Sequence, residues 1–476
     1  MEMPPPSPSV LSRRGAIVAR LREACPGGVI DDPAETRAYE CDALTAYACR
    51  PLCVVLPSST AEVAACLRVC HEEGAPVVPR GAGTSLAGGA LPTADSVVLG
   101  VARMTRVLEA SREDRLIRVE VGRTNLSVTA AAEPLGMFYA PDPSSQLACT
   151  VAGNVGMNSG GAHCLKYGVT TNNLLGVTAV LADGTVVELG HGSGEALGLD
   201  LLAAVCGSEG QLCVVTEAAL RLVPRPEGAR PVLLAFGSAE AAGACVSAVI
   251  RAGLIPVAIE FMDRPCIEAC EAFAKAGYPD CEALLIVEVE GPEAEIADQM
   301  GRIGAIARGF APLEIREARG AEEAARIWLG RKSAFGAMGR IADYLCLDGT
   351  IPVSRLSETL AGIAALGDRW GLRVANVFHA GDGNMHPLIL FDANSEDGLR
   401  RAEGLGADIL RLCVAMGGCL TGEHGVGVEK RDLMGEQYRA EDLEAQMRVK
   451  DAFDPGWMLN PAKVFPLQAS ASRRAA

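Results

Sequence analysis

The sequence has no Cys-x-x-Cys pair, although it carries 17 cysteines. That absence excludes an iron–sulfur cluster of the usual spacing held within this chain. The odd number of thiols, scattered through apolar runs such as 64-AACLRVC-70, fits free cysteines in a reducing compartment rather than a disulfide framework. No run of about 18 uninterrupted apolar residues could span a bilayer, and 1-MEMPPPSPSV-10 lacks the charged-then-apolar layout of a signal peptide. Cations are also in deficit, with 43 Lys and Arg against 59 Asp and Glu and a formal charge of -16. Nucleic acid and anionic membrane, which both demand a basic face, are therefore excluded as main partners. The expectation is a cytoplasmic protein that meets the inner face of a membrane at most peripherally, through partner subunits.

What is present is an ordinary globular composition, 49% hydrophobic and 21% charged, in a chain of 476 residues, too long for one core. The Pro-rich start predicts disorder, followed to about Tyr47 by a helix and an irregular segment. The strand 52-LCVVLP-57 leads to the helix 59-STAEVAACLRVCHEEG-74, with Ser59 or Thr60 as N-cap, Glu62 in the first turn and Gly74 as the stop. Strands 76-PVVPR-80 and 97-VVLGV-101 flank a Gly-rich loop. A second sheet-rich lobe follows in 116-LIRVEVG-122, a hairpin over 177–190 turning on Asp183-Gly184, and 213-CVVTEAALRLV-223. The Pro-rich stretch 224-PRPEGARP-231 marks a domain boundary. Beyond it, alternating strands and helices predict a separate α+β domain on an antiparallel sheet. Its strands include 257-VAIEFM-262, 284-LLIVEVEG-291, 374-VANVFH-379 and 386-HPLILF-391. The boundaries expected are 1–47, 48–226, 227–425, and a C-terminal segment 426–476 returning to the first domain.

Two Gly-rich segments carry the first chemistry. In 79-PRGAGTSLAGGA-90 the glycines let backbone N–H groups approach an anion closely. The loop lacks the Gly-Lys-Ser/Thr of a Walker motif and the G-x-G-x-x-G spacing, which disfavours a nicotinamide Rossmann site. The second, 141-PDPSSQLACTVAGNVGMNSGGAHCLKYG-168, sets polar residues among small ones, with Asn154 and Asn158 spaced to share a helix face. With 207-GSEGQL-212, these segments favour an extended cofactor.

Only six histidines occur in the chain, and three of them fall in two short motifs, 377-VFHAGDGNMH-386 and 421-TGEHGVG-427. His379 and His386 flank a tight turn, so their side chains can converge from paired strands. Two imidazoles with Glu423 form a recurring divalent-metal set. Such a set activates water for hydrolysis as readily as it polarises an alcohol for oxidation.

The stretch from Pro57 to Pro224 resembles the FAD-binding domain of the vanillyl-alcohol-oxidase (PCMH-type) superfamily. With the later motifs, nearly the whole chain is similar to the family holding glycolate oxidase flavin subunits and D-lactate and D-2-hydroxyglutarate dehydrogenases. The resemblance implies a two-lobed FAD domain, an α+β cap domain with an antiparallel sheet, and a C-terminal helical segment. It implies that the loop from Gly81 to Gly89, with Gly81, Ala82, Gly83, Thr84, Ser85, Gly88 and Gly89, cradles the pyrophosphate, and that Pro79 and Arg80 before it also bind the cofactor. Lining residues would be Pro141, Asp142, Ser144, Ser145, Thr150, Gly153, Asn154, Asn158, Gly160 and Gly161, with further contacts from Glu209, Gly210, Val215 and Asn460. Some relatives attach flavin through a His in the first loop; Thr84 stands at the comparable place here, so FAD is expected to be non-covalent.

The same resemblance assigns His379, His386 and Glu423 to a divalent metal, zinc or manganese, and His424 to the general base. Adjacent residues cannot point the same way on a strand, so one ligand and one base is the natural division of Glu423 and His424. In 328-WLGRKSAFGAMGR-340, family position gives Arg331, and secondarily Lys332, to the substrate carboxylate, with Asn384 also at the substrate. Phe335 and Cys346 stand where 2-hydroxyglutarate dehydrogenases carry polar groups for a distal carboxylate, which favours a small monocarboxylate. The reading is glycolate oxidised to glyoxylate, hydride passing to flavin N5 and electrons to an iron–sulfur subunit and quinone, in a complex with a second flavin-type subunit. The alternatives are a D-lactate dehydrogenase using cytochrome or quinone, and a non-catalytic flavoprotein subunit.

Overall fold

The computed structural model describes residues 3–192 and 198–474. The chain forms two compact units. The first comprises Met1–Gly160, Val169–Arg225 and Glu423–Ala476; the second comprises Gly161–Gly168 and Pro226–Gly422.

In the first unit, strands β1 (Val29–Ile30), β2 (Cys53–Val55), β3 (Val77–Arg80) and β4 (Val97–Gly100) make a sheet in the order β1-β2-β4-β3. β2 and β3 both run parallel to β4. Parallel strands need a crossover, and the helix Thr60–Glu73 supplies the one from β2 to β3, which flank β4. The Ser59 side chain accepts from the Glu62 N–H at its start, a cap that contributes about 1 kcal/mol, and Gly74 closes it in the left-handed conformation at φ 63°. The inward face of that helix, Val63, Cys66, Leu67 and Cys70, packs into the same core as β2 and β4.

The second sheet of this unit contains β5 (Val107–Ser111), β6 (Leu116–Glu120), β8 (Leu174–Val180), β9 (Val186–Gly190) and β10 (Val214–Arg221), ordered β5-β6-β10-β8-β9 and antiparallel throughout. The hairpin between β8 and β9 turns at Gly184, φ 86°. A short ladder joins β7 (Met137–Phe138) to β11 (Val223–Pro224). The helix Ala440–Phe453 then delivers Leu459 alongside Val77, where the Asn460 N–H donates to the Val77 carbonyl at 2.7 Å. The tail thus extends the edge of the first sheet beside the Gly-rich loop that follows β3.

The second unit is built on β12 (Gly228–Phe236), β13 (Ala258–Asp263), β14 (Ala283–Gly291), β15 (Glu314–Glu317), β16 (Asp343–Cys346), β17 (Gly349–Thr350), β18 (Val374–His379), β19 (Asn384–Met385) and β20 (Pro387–Phe391). These form one nine-stranded sheet whose main path is β15-β12-β14-β13-β18-β19-β17, with β20 joining β18 to β16. Every pairing in it is antiparallel. The rings of Phe261 and Phe378, directly opposite on β13 and β18, stack at 4.7 Å. Since a one-residue slip would exchange the two faces of a strand, this pair holds the register that puts Glu260 opposite His379.

Three expectations are corrected. The Pro-rich start is helical from Pro8 to Ser12, because Val10 finds a place in the first core at 3% exposure. Asn158 does not share a helix face with Asn154: the helix Val151–Met157 ends before it, and Asn158 is its C-cap at φ 53°, accepting from the Thr171 N–H. The Pro-rich stretch at the boundary is not all break, since β12 begins at Gly228 and pairs with β14 along its whole length. β5 went unread because its side chains are mostly exposed, so it has no apolar signature.

Candidate active site

The first unit contains a cradle built from the ends of β3 and of the tail. After β3 the loop turns through Gly83 and Gly88, both at positive φ, and the Ser85 hydroxyl accepts from the N–H groups of Ala87 and Gly89. Pro79 and Arg80 end β3, and Arg80 donates to the Cys41 carbonyl while its guanidinium lies over the Tyr39 ring. Asn460 locks this loop to a second one: its amide nitrogen donates to the Gly89 carbonyl at 3.0 Å and to the Glu209 carbonyl at 2.5 Å. Glu209 and Gly210 both sit at positive φ, and the Glu209 carboxylate accepts from the N–H groups of Val426 and Gly427 at 2.6 and 2.7 Å. Burial pushes the Glu209 carboxyl up in pKa, opposed by those two N–H groups.

This cradle fits a dinucleotide. A Cβ on Gly81 would lie 2.4 Å from the Thr150 hydroxyl and 3.1 Å from the Gly153 nitrogen, so glycine alone lets the two polar segments approach. The Thr150 hydroxyl and the Asn460 side-chain oxygen are buried with no hydrogen-bond partner among the described residues. Buried polar atoms in native proteins are nearly all satisfied, so these two point to a polar ligand. Gly160, within the second segment, donates its N–H to the Glu423 carboxylate at 3.1 Å. Val215 is half-buried on β10, and His424 is half-buried. Gly161 and His163 belong to the second unit. There the His163 ring lies 3.3 Å from the Glu288 carboxylate, which also accepts from the Trp328 indole.

The second unit places its polar groups on one face of the sheet. The rings of His379 and His386 are T-shaped with centroids 5.2 Å apart. Nδ1 of His379 lies 2.7 Å from Oε1 of Glu260, and Nδ1 of His386 lies 3.2 Å from the Leu347 carbonyl oxygen. Metal-ligating histidines generally donate one ring N–H in this way and coordinate through the other nitrogen. Asn384 pairs directly across from His379, and its side-chain oxygen is buried with no partner among the described residues. Behind His386, the fully buried Asp348 lies 3.8 Å from Nδ1 and accepts from the Thr421 hydroxyl at 2.5 Å and the Gly422 N–H at 2.9 Å. His386 belongs to a group of imidazole and carboxylate side chains, Asp348 among them, whose ligand atoms all lie within 4.8 Å of one another, close enough to share a divalent cation, with the His379 ring beside that group rather than in it.

The cation beside this pair is Arg331, at 5% exposure on the helix Ala321–Gly339. Its Nε and Nη2 both donate to Oε2 of Glu260, at 2.8 and 2.7 Å. A ligand carboxylate would therefore meet the Nη1 end of the fork, not the Nε edge. Burial alone would raise the Glu260 carboxyl, but its contacts with the His379 ring and the Arg331 guanidinium outweigh it and hold the group below its ordinary value. The Arg331 backbone is fixed as well, since its N–H donates to the Tyr278 hydroxyl at 2.9 Å. Lys332, one residue on, is exposed with its ammonium over the Trp328 ring, and Arg340 lies exposed over Phe273. Cys346 is buried in β16 and Phe335 is half-buried.

Sequence reasoning missed Glu260, Asp348 and Tyr278. Two of them leave a trace: Glu260 is the lone charge in 257-VAIEFM-262 and Asp348 in 345-LCLDGTI-351. A single carboxylate within an apolar strand must be paired when buried.

A polar cradle for an extended cofactor in one unit and a histidine pair beside a buried arginine in the other define a cofactor-dependent oxidoreductase of two-domain build. Residues 51–190 match the model of an FAD binding domain, and residues 225–464 that of the FAD linked oxidases, C-terminal domain. The chain is 47% identical to the glycolate oxidase subunit GlcD of Escherichia coli K12 over 95% of this chain and 91% of that one. It is 32% identical to a D-lactate dehydrogenase of Archaeoglobus fulgidus over 86% of this chain and 90% of that one. Among solved structures, the 4-ethylphenol oxidase of Gulosibacter chungangensis shares the fold at TM-score 0.82 and 17% identity, covering 98% of this chain and 99% of that one. The chain belongs to the FAD-linked oxidases, a family whose members similar to it include a glycolate oxidase subunit and a D-lactate dehydrogenase. No helix among the described residues is long and apolar enough to cross a membrane.

Proposed function

We propose that this flavoprotein oxidises a small D-2-hydroxy acid, glycolate to glyoxylate in first place, at the histidine motifs. The observation that carries the reading is the buried Arg331, held by Glu260 in register with His379. A 2-hydroxy acid has a carboxylate to pair with that cation and a hydroxyl to lose a proton. FAD, bound without a covalent link, supplies the acceptor for the hydrogen and two electrons leaving C2. A divalent metal, zinc or manganese, held by His379, His386 and Glu423, supplies Lewis-acid polarisation of the hydroxyl.

The chain's own residues do the rest. Arg331 orients the substrate through its carboxylate, and Asn384 offers an amide oxygen beside it. His424 takes the hydroxyl proton as general base. Burial of Arg331, His379 and His386 limits water and strengthens the hydrogen bonds made there. The named relatives support a 2-hydroxy acid: one is a glycolate oxidase subunit, another a D-lactate dehydrogenase. The first of these supports a multi-subunit assembly, in which an iron–sulfur subunit takes the electrons toward quinone and a second flavin-type subunit completes the complex.

The test is anaerobic flavin bleaching by a panel of D- and L-2-hydroxy acids, repeated after rigorous chelation. Glycolate should bleach fastest, and chelation should slow it. Faster bleaching by D-lactate would move the assignment to the lactate reading, and bleaching indifferent to metal removal would remove the metal from it. A flavin that no hydroxy acid reduces would identify a non-catalytic subunit.

A further inference from the structure

We infer that Glu260 is a positioning residue, one carboxylate that sets both the proton on His379 and the aim of Arg331. The inference rests on the function proposed above. The two oxygens divide the work: Oε1 faces Nδ1 of His379 at 2.7 Å, and Oε2 accepts from Nε and Nη2 of Arg331 at 2.8 and 2.7 Å. An ionised carboxylate only accepts hydrogen bonds, so Nδ1 of His379 carries the hydrogen. In the neutral ring Nε2 is then the nitrogen with the lone pair, the form that a metal ligand needs. A hydroxyl or amide at position 260 could not hold both neighbours to those roles.

The surroundings give this carboxylate little choice. Glu260 is 1% exposed and lies directly across from His379 in the antiparallel pairing of β13 and β18, with Phe261 and Phe378 stacked on the opposite face. Arg331 is held from the other side. The Tyr278 hydroxyl accepts its backbone N–H and donates to the Ile327 carbonyl at 2.5 Å. Gly330 makes that approach possible, since a Cβ there would lie 2.3 Å from the Tyr278 ring. A simple stabilising ion pair would not require one oxygen to be spent on an imidazole, and a buried pair is in any case weak evidence of stabilisation. The division of Glu260 between a histidine and an arginine links the two groups that must agree on one substrate pose.

Glu260→Gln keeps the shape but offers one acceptor oxygen and one amide donor. The amide must turn toward either His379 or Arg331, whose facing groups are both donors. The full-length flavin-loaded protein is titrated with zinc(II), and separately manganese(II), against a chromogenic chelator, and KM and kcat for glycolate are measured in parallel. Glu260→Gln should weaken metal affinity by roughly 10–100-fold, as loss of a histidine's hydrogen-bond partner does elsewhere, and raise KM more than it lowers kcat. In an Arg331→Met background the effect of Glu260→Gln on KM should vanish while its effect on metal affinity persists. Glu260→Asp, which keeps two acceptor oxygens, should recover part of both; it also serves if the Gln variant folds poorly, which circular dichroism and flavin content report. Metal affinity and KM within twofold of the parent in Glu260→Gln, with His379→Ala losing metal, would overturn the role of Glu260 alone. If His379→Ala also left metal affinity intact, the metal assignment itself would fall.

Discussion

Replacing Lys450 by Met should loosen the flavin cradle from a distance. Lys450 and Asp454 are 2% and 0% exposed, and the ammonium spends its three donors on Asp454 Oδ2 at 2.9 Å, the Gln211 carbonyl at 2.8 Å and the Leu459 carbonyl at 3.0 Å. Asp454 in turn accepts from the N–H groups of Met458 and Leu459, at 3.1 and 2.8 Å. The pair therefore ties three segments together, and one of them continues directly into Asn460. Methionine preserves most of the aliphatic stem, so the loss is electrostatic. Removing one partner of a buried pair costs about 3–5 kcal/mol. The lower figure applies here, because the two backbone N–H groups still hold the Asp454 carboxylate. Asp454→Leu should cost more, since it also strips those N–H groups of their acceptor. Exchanging both residues for apolar ones should not restore stability, because two carbonyls and two N–H groups stay unpaired.

A chain of two units need not unfold in one step, so a signal local to the first unit is the better assay. Flavin fluorescence rises on release and reports that unit. If about 3 kcal/mol is lost from the segment carrying Asn460, FAD affinity should fall by up to roughly two decades, at 1.4 kcal/mol per decade. The temperature of flavin release should drop by roughly 6–12 °C, at about 2–4 °C per kcal/mol for units of this size. A Lys450→Met protein that keeps FAD affinity within threefold and releases flavin within a degree or two of the parent would refute the reasoning.

Lys463 predicts a pH effect. Burial lowers its pKa to about 7, with Asp42 opposing and Arg431 reinforcing the shift. The unfolded lysine titrates near 10.4. Between about pH 7 and 10.4 the unfolded chain thus binds a proton that the folded chain does not, so this group's contribution favours folding as pH rises, by up to about 1.4 kcal/mol per unit. In denaturation from pH 7 to 9.5 the stability of the parent relative to Lys463→Met should rise with pH; a relative stability independent of pH would exclude a neutral buried lysine. Gly81→Ala should lose most of its flavin without unfolding, since the new methyl meets Thr150 and the Gly153 backbone, and normal flavin content would count against the cradle. Gly330→Ala should push Tyr278 away and disturb Arg331, raising KM for glycolate several-fold at near-parent flavin content. An unchanged KM would mean that Tyr278 does not position the arginine.

Local chemistry made much of this protein readable. The helix Thr60–Glu73 announced itself through Ser59 and Gly74, the β8–β9 hairpin through Asp183-Gly184, and the cofactor loop through glycines whose spacing ruled out other nucleotide folds. Each depends on residues within a few positions of one another. Val10 and Asn158 were misread for the complementary reason. A proline-rich run looks disordered until a core elsewhere in the chain accepts one of its apolar side chains, Val10, and an Asn four residues past another looks helical unless the backbone turns left-handed there.

Most element types, the turns and caps, and the residue kinds gathered in the two histidine motifs were legible in the sequence, because periodicity, capping and turn chemistry act at short range; the close approaches that Gly81 and Gly330 permit were not, since they join distant segments. Tertiary structure decided which side chains share a face and a hydrogen bond. Glu260 and His379 are 119 residues apart and Glu260 and Arg331 71, and only the antiparallel register of β13 against β18 and the seating of the helix Ala321–Gly339 bring them together. The glutamate isolated in its apolar strand went unread, because which partners it meets, and that one carboxylate serves two, depend on packing that no local pattern encodes.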